Sequence, residues 1–415
     1  MDPQYAHQGA TLGVRSPDHA RVSIYGPEFA ADPHGHYRWM RATYGPLVPV
    51  EIWPGVPATL VIKYATAVRI LNDPVRFPSD PSIWQQSVPS DIPIMPMVEA
   101  RPNAIRTDGN AHARYRQTIN DALAGIDLHA VRAMVERTAV PLVNSFCADG
   151  TADVLGQYAF PLVFSAFCQA VGCPPEIGER IAAVNAAMFD GVDTAEVNRL
   201  MAEALLDLTA LKRAQPAHDV TTRLVQHPAG LTDEEMVHQL VLLFAAGVEP
   251  AANLIANTLL LMMTDPRFTS SIVQGIPLPT RIAIDERLTS DPPMANYCVT
   301  YPQQPVMLDK VWLPAHQPVI ISMAACNTDP ELEPGSPLDN GWNLAFSSGP
   351  HACPAHARPF GVLLAQEAID QLLDYLPEIR LAVPVDDLVW RPGPFHRALT
   401  ALPAVFPPST PFPVP

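Results

Sequence analysis

Apolar positions are densest between Met236 and Met263, within TDEEMVHQLVLLFAAGVEPAANLIANTLLLMM, where nearly every helix face is hydrophobic. Thr232 followed by Glu235 makes a capping box at its start, so the pattern predicts one long helix buried at the centre of the fold. Helical spacing also marks His34 to Gly45, Ala65 to Asn72, the Ala/Val/Leu-rich stretch from Val131 to Phe189 broken at Cys173-Pro174-Pro175, Asp193 to Lys212, and Gly361 to Tyr375. Strand patterns are fewer and shorter. TLVIKY (Thr59 to Tyr64) follows the turn WPGVP, VMLDKVWLPAHQPVIISMAA predicts two strands around a proline turn, and IRLAVP and FHRALTALPAVF read as late strands. The stretch from Pro78 to Pro102 has many prolines and no periodicity, which marks a loop. The whole predicts a mainly α fold with a small β region.

No Gly/Ser-rich or charged linker divides the 415 residues, so residues 1–415 are expected to form one domain, with a Pro-rich extended tail from about residue 407. A formal charge of -16 argues against a nucleic-acid or anionic-membrane partner. The long apolar stretch is interrupted by Glu249, Pro250, Asn253 and Asn257, which suits a buried helix better than a membrane span. Six cysteines without a CxxC pair, and a start lacking basic and apolar signal regions, predict free thiols in a reducing cytoplasm.

Chemistry concentrates in AFSSGPHACPAHAR, Ala345 to Arg358. Cys353 lies between a Gly-Pro turn and a helix start, where backbone N–H groups and the positive helix end are expected to lower its thiol pKa and favour a metal-binding thiolate. On that spacing alone a buried structural cysteine is the commoner outcome. Phe346, Gly349, His351 and Cys353 together spell F-x-x-G-x-H-x-C, which resembles the haem-binding loop of the cytochrome P450 family. The resemblance extends in order from about Asp32 to Phe406 and implies the P450 fold, haem b with Cys353 as axial iron ligand, and oxidoreductase activity. Pro354 and Ala355 depart from the loop pattern.

Other motifs carry the resemblance further, with losses. His112 and Arg116 share one helix face; alone they read equally as a solvated face, and in the family such a pair holds haem propionates, as His351 does. Ala245-Ala246-Gly247-Val248-Glu249-Pro250 matches the family's A-G-x-[ED]-T segment, in which small residues such as Ala246 and Gly247 leave room for O₂ and the acid and Thr deliver protons. Here Pro250 replaces Thr, leaving Glu249 as the proton-handling group, and an interior proline costs a helix about 3 kcal/mol. In IAIDERLTSDPPM, Glu286 takes the acid position of E-x-x-R and Thr289 the arginine position, while the neighbouring Arg287 points about 100° away. No Arg or Lys stands between Pro330 and Phe346 to close the usual triad, the NRDP-like segment is Asn327-Thr328-Asp329-Pro330, and Val299 sits where a further propionate-binding arginine is found. Glu286 is therefore expected to be neutral, exposed or bonded elsewhere.

The resemblance implies a bacterial-type haem-thiolate monooxygenase of secondary metabolism acting on a small apolar organic substrate, with a ferredoxin and its reductase supplying electrons if O₂ is the oxidant. Loss of the acid–Thr pair is found in branches that use peroxide or rearrange an oxygenated substrate. A haem-binding member without monooxygenase activity, acting as sensor or partner protein, is the competing expectation. Leu243 to Ala246, Met294 to Cys298 and Ser82 to Pro96 are expected to wall the pocket by position.

Overall fold

The computed structural model of the protein describes residues 21–189, 194–268, 278–332 and 343–414. Helices of eight or more residues are α1 (Pro33–Tyr44), α2 (Tyr64–Leu71), α3 (Gly109–Leu123), α4 (Val131–Asn144), α5 (Phe160–Val171), α6 (Pro175–Phe189), α7 (Thr194–Ala214), α8 (Asp233–Gly247), α9 (Glu249–Thr264), α10 (Thr280–Ser290) and α11 (Ala357–Tyr375). The largest hydrophobic core gathers α3, α4, α5, α8, α9 and α11. At its centre every residue from Ala251 to Leu261 is buried, which explains the all-round apolarity of that segment. By length and composition Asp233–Thr264 could cross a membrane, but 61% of its most apolar window is buried within the protein, as in a core helix.

The capping box at Thr232 and Glu235 starts α8 as predicted. The predicted long helix forms with an interruption of one residue. It divides at Val248, and Pro250 falls in the first turn of α9. Val248 keeps helical backbone and its N–H bonds Phe244 O at 3.0 Å, so the interruption is the local break expected where proline removes an N–H from the ladder. The ladder resumes at once, with Ala252 N–H bonded to Val248 O at 3.0 Å.

A five-stranded sheet covers the other end: β1 (Val22–Ser23), β2 (Leu47–Trp53), β3 (Val56–Val61), β4 (Asn296–Thr300) and β5 (Val319–Ser322), in the order β1-β2-β3-β5-β4. A bulge between Tyr297 and Thr300 bends β4, with Cys298 in left-handed backbone (φ 53°). Where two strands around a proline turn were predicted there are three. Val306–Leu308 and Val311–Leu313 form a hairpin turned by Asp309 and Lys310, and β5 follows. The predicted late strands shrink to Arg380–Leu381 and Pro403–Val405, and the latter lies between the former and Thr151–Asp153, antiparallel to both. The Pro-rich loop is tied into the sheet's core by buried Trp84, Ile92, Ile94, Met95 and Val98.

Candidate functional site

Gly349 has φ 73°, and a Cβ there would fall 2.1 Å from the Leu71 carbonyl oxygen at the end of α2. Backbone conformation and close approach both demand glycine at this loop position. Beyond it, Cys353 N–H donates to Phe346 O at 2.9 Å and Ala352 N–H to Gly349 O at 3.1 Å, which folds the loop back on itself. The Arg358 guanidinium covers the Phe346 ring at 4.9 Å. The expected low thiol pKa is not found. Burial pushes the Cys353 thiol up to about 11, against the pull of Arg116 and Arg358. Helix α11 begins only at Ala357, so in the protein alone desolvation outweighs the helix end. A metal ion would displace the proton, because thiolate ligands bind deprotonated.

The three expected anion-binding residues converge on this loop. Arg116 Nη2 donates to Pro350 O at 3.2 Å, and His112 also bonds that carbonyl. The His112 and His351 rings lie against each other, tilted by 35° with centroids 4.1 Å apart, and His351 Nε2 lies 3.0 Å from Thr107 O, so that nitrogen carries a proton. Burial, then His351 and Arg116, push His112 down to about 4; burial likewise lowers His351. His112 Nε2 and Arg116 Nε are buried without a partner among the described residues. A carboxylate set against them would satisfy both and reverse the His112 shift.

On α8, Ala245 and Ala246 are exposed although Phe244 and Val248 on either side are buried. One face of the central helix therefore borders an opening. Gly247 does something different: a Cβ there would fall 2.3 Å from the Phe167 ring, so its small size lets α5 approach. Glu249 accepts a hydrogen bond at Oε1 from Arg391 Nη2, and Arg391 Nε lies 3.2 Å from His396 Nε2. Burial, then Arg391, push His396 down to about 4. Arg391 and His396 belong to the RPGPFHR turn before the last strand, and no sequence spacing ties that turn to Glu249.

The emptied arginine positions have other occupants. Glu286 Oε1 accepts from Arg267 Nη2 at 2.6 Å, while Thr289 turns its hydroxyl to Asp285 O. Asn327, in the NRDP-like segment, bonds Leu288 O at 3.2 Å through Nδ2 and Leu344 N–H at 2.8 Å through Oδ1, joining α10 to the cysteine loop. Residues 333–342, most of the stretch without Arg or Lys, lie outside the described residues. Val299 is buried in the sheet's core.

No protein-family model matches the chain. It is 30% identical over 415 residues to the cytochrome P450 monooxygenase PikC of Streptomyces venezuelae, with 95% of each chain covered. The chain belongs to the cytochrome P450 family. It is 26% identical to a vitamin D(3) 25-hydroxylase of Pseudonocardia autotrophica, covering 93% of this P450 and 97% of that protein. Its fold matches CYP154C4 from Streptomyces sp. ATCC 11861 with a TM-score of 0.84 at 24% identity, over 95% of this chain and 100% of that one. The mainly α P450 fold with a small β region is therefore the fold of this chain, and the protein is an oxidoreductase of the P450 monooxygenase type. P450 membership implies haem with a thiolate-ligated iron. The residues fit that group: a cysteine in a turned-back loop, buried unpartnered His112 and Arg116 nitrogens beside it, and an opening along Ala245 and Ala246.

Proposed function

We propose that this P450, acting as one haem-thiolate domain, oxidises a small apolar organic substrate of bacterial secondary metabolism and takes its oxygen from peroxide or from an already oxygenated substrate. Cys353 would hold the iron, and His112, Arg116 and His351 would hold the haem carboxylates. Bound there, the haem supplies the oxidising chemistry of the family. Ala245 and Ala246 leave the helix face open, and Glu249 handles protons at Oε2, since Arg391 occupies Oε1.

The observation that carries the choice of oxidant is the pairing of Glu249 with Arg391 beside a proline. Pro250 offers neither a hydroxyl nor an N–H, so the usual two-residue relay is reduced to one carboxylate held by a guanidinium. Hydrogen peroxide asks less of that relay. In RH + H₂O₂ → ROH + H₂O it brings the oxygen atom and the reducing equivalents together, and no ferredoxin or reductase takes part. The name of the vitamin D(3) 25-hydroxylase relative agrees with an apolar substrate. The reading without turnover, as sensor or partner protein, rests on the emptied arginine positions and on the Thr replaced by Pro250; the contact with Arg267 gives Glu286 a partner and bears on the first of these alone.

The test compares product formed per haem with hydrogen peroxide and with O₂, NADPH, ferredoxin and ferredoxin reductase, across a panel of apolar substrates. Faster peroxide-driven turnover is expected. Turnover with the electron-transfer proteins alone would overturn the choice of oxidant, and no turnover with either, nor of an organic hydroperoxide supplied as substrate, would favour the sensor or partner reading.

A further inference from the structure

Arg106 belongs to none of the motifs, yet it is 4% exposed in the loop leading to α3. Its Nη2 donates to the Met97 carbonyl and to the Tyr297 hydroxyl at 2.5 Å, and its guanidinium lies 5.4 Å from the Tyr297 ring centroid. Both acceptors are neutral. Arg106 makes no ion pair with any carboxylate among the described residues. Guanidinium does not shed its proton on burial, so the chain carries a desolvated positive charge that it does not itself neutralise.

Its place in the fold narrows the anion that would do so. Thr107, the next residue, accepts from His351 at 3.0 Å, which sets this stretch against the Cys353 loop. Tyr297 lies on β4 two residues before Val299, the position where the family resemblance leads one to look for a cation. His112 Nε2 and Arg116 Nε, six and ten residues after Arg106 along the chain, are buried without partners among the described residues. The planar donor fork of arginine matches a carboxylate. We propose that Arg106 is a carboxylate-binding residue for the haem, supplying from the loop before α3 the charge that Val299 does not. This rests on the haem reading given above, and it adds a site residue that the sequence motifs do not contain.

The experiment measures haem transfer from the purified holoprotein to excess apomyoglobin, followed in the Soret band, for wild type, Arg106→Gln, Arg106→Lys and Tyr297→Phe, each checked for folding by circular dichroism. Arg106→Gln is expected to lose haem about tenfold faster, with Arg106→Lys in between because it keeps the charge and loses the fork. Should Arg106→Gln not fold, Tyr297→Phe loosens the aim of the guanidinium and is expected to speed loss as well; a wild-type rate in that variant would overturn the proposal. Equal rates in wild type and Arg106→Gln overturn it too. If decanoate, used as a probe acid, then shifts the wild-type spectrum but not that of Arg106→Gln, the carboxylate belongs to a substrate. Wild-type protein that takes up no haem overturns the haem reading itself, which is a different failure.

Discussion

Arg397 Nε lies 3.0 Å from Asp291 Oδ2, with both side chains buried. His34 Nε2 stands 3.4 Å from the other carboxylate oxygen, and Arg397 also donates to the Ala30 carbonyl. One buried carboxylate at the end of α10 thus ties the start of α1 to the C-terminal turn. Burial pushes the Asp291 carboxyl up, but His34 and Arg397 hold it below its ordinary value. The buried carboxylate–guanidinium pair of this region thus stands at Asp291, five residues after Glu286. Asp291→Asn is expected to cost about 3–5 kcal/mol, the penalty for leaving a buried partner charge uncompensated. Glu286→Gln, which breaks only the exposed contact with Arg267, should shift the urea midpoint far less. Equal losses in the two variants would contradict this division.

What the sequence revealed depended on how far apart the cooperating residues lie in the chain. Thr232 and Glu235, or Phe346 to Cys353, are close enough for spacing to report their geometry. Glu249 and Arg391 are 142 residues apart, and Arg267 and Glu286 are 19 apart. Neither pairing leaves a periodic trace, so the replacements for the missing arginines could not be read in advance. Strand β2 was hidden for another reason: Pro49 within LVPVEIW breaks the strand signal, although Pro49 pairs with Thr59 of β3. The thiol shift of Cys353 was misjudged because a sequence shows the helix after it but not the depth of burial.

Gly349 gives a sharper test of the cysteine loop. Alanine would have to adopt φ 73° and place its Cβ against the Leu71 carbonyl, a backbone atom with little freedom to move. Gly349→Ala is expected to open the hydrogen bond from Cys353 N–H to Phe346 O and to reduce the haem bound per protein after expression. Gly361→Ala serves as control, because nothing lies near its added carbon. Full haem content in Gly349→Ala would show that the loop tolerates another conformation.

Acid stability should depend on Glu235. The Arg114 guanidinium, with the Thr232 N–H and the Tyr115 hydroxyl, holds its carboxyl down to about 2 despite burial. A depressed carboxylate contributes stability that is complete above its ordinary value of 4.5 and is lost as pH falls through about 2. Because Arg114 and Tyr115 lie on α3 between His112 and Arg116, this contact also braces the helix at the cysteine loop. Urea midpoints measured from pH 5 to pH 2 should fall less steeply in Glu235→Gln than in wild type. Parallel curves would mean that the carboxylate does not report on folding.

Glu249 and Arg391 allow the proton-handling reading to be tested apart from haem binding. Glu249→Gln keeps the size and hydrogen-bonding shape of the side chain but cannot exchange a proton at Oε2. If that exchange is part of the reaction, peroxide-driven turnover should fall by about 10²-fold, the lower end of what a positioned acid or base supplies, with haem content unchanged. Arg391→Leu removes the group that orients the carboxylate and leaves the carboxylate itself, so its loss should be smaller and should be accompanied by a change in the pH profile. Pro250→Thr adds a hydroxyl at the first turn of α9 without placing a proline-specific demand on the fold, and should raise the share of turnover that O₂ and a ferredoxin can drive. Wild-type turnover in Glu249→Gln would remove Glu249 from the reaction and leave the Arg391 contact as an element of packing between the central helix and the C-terminal turn.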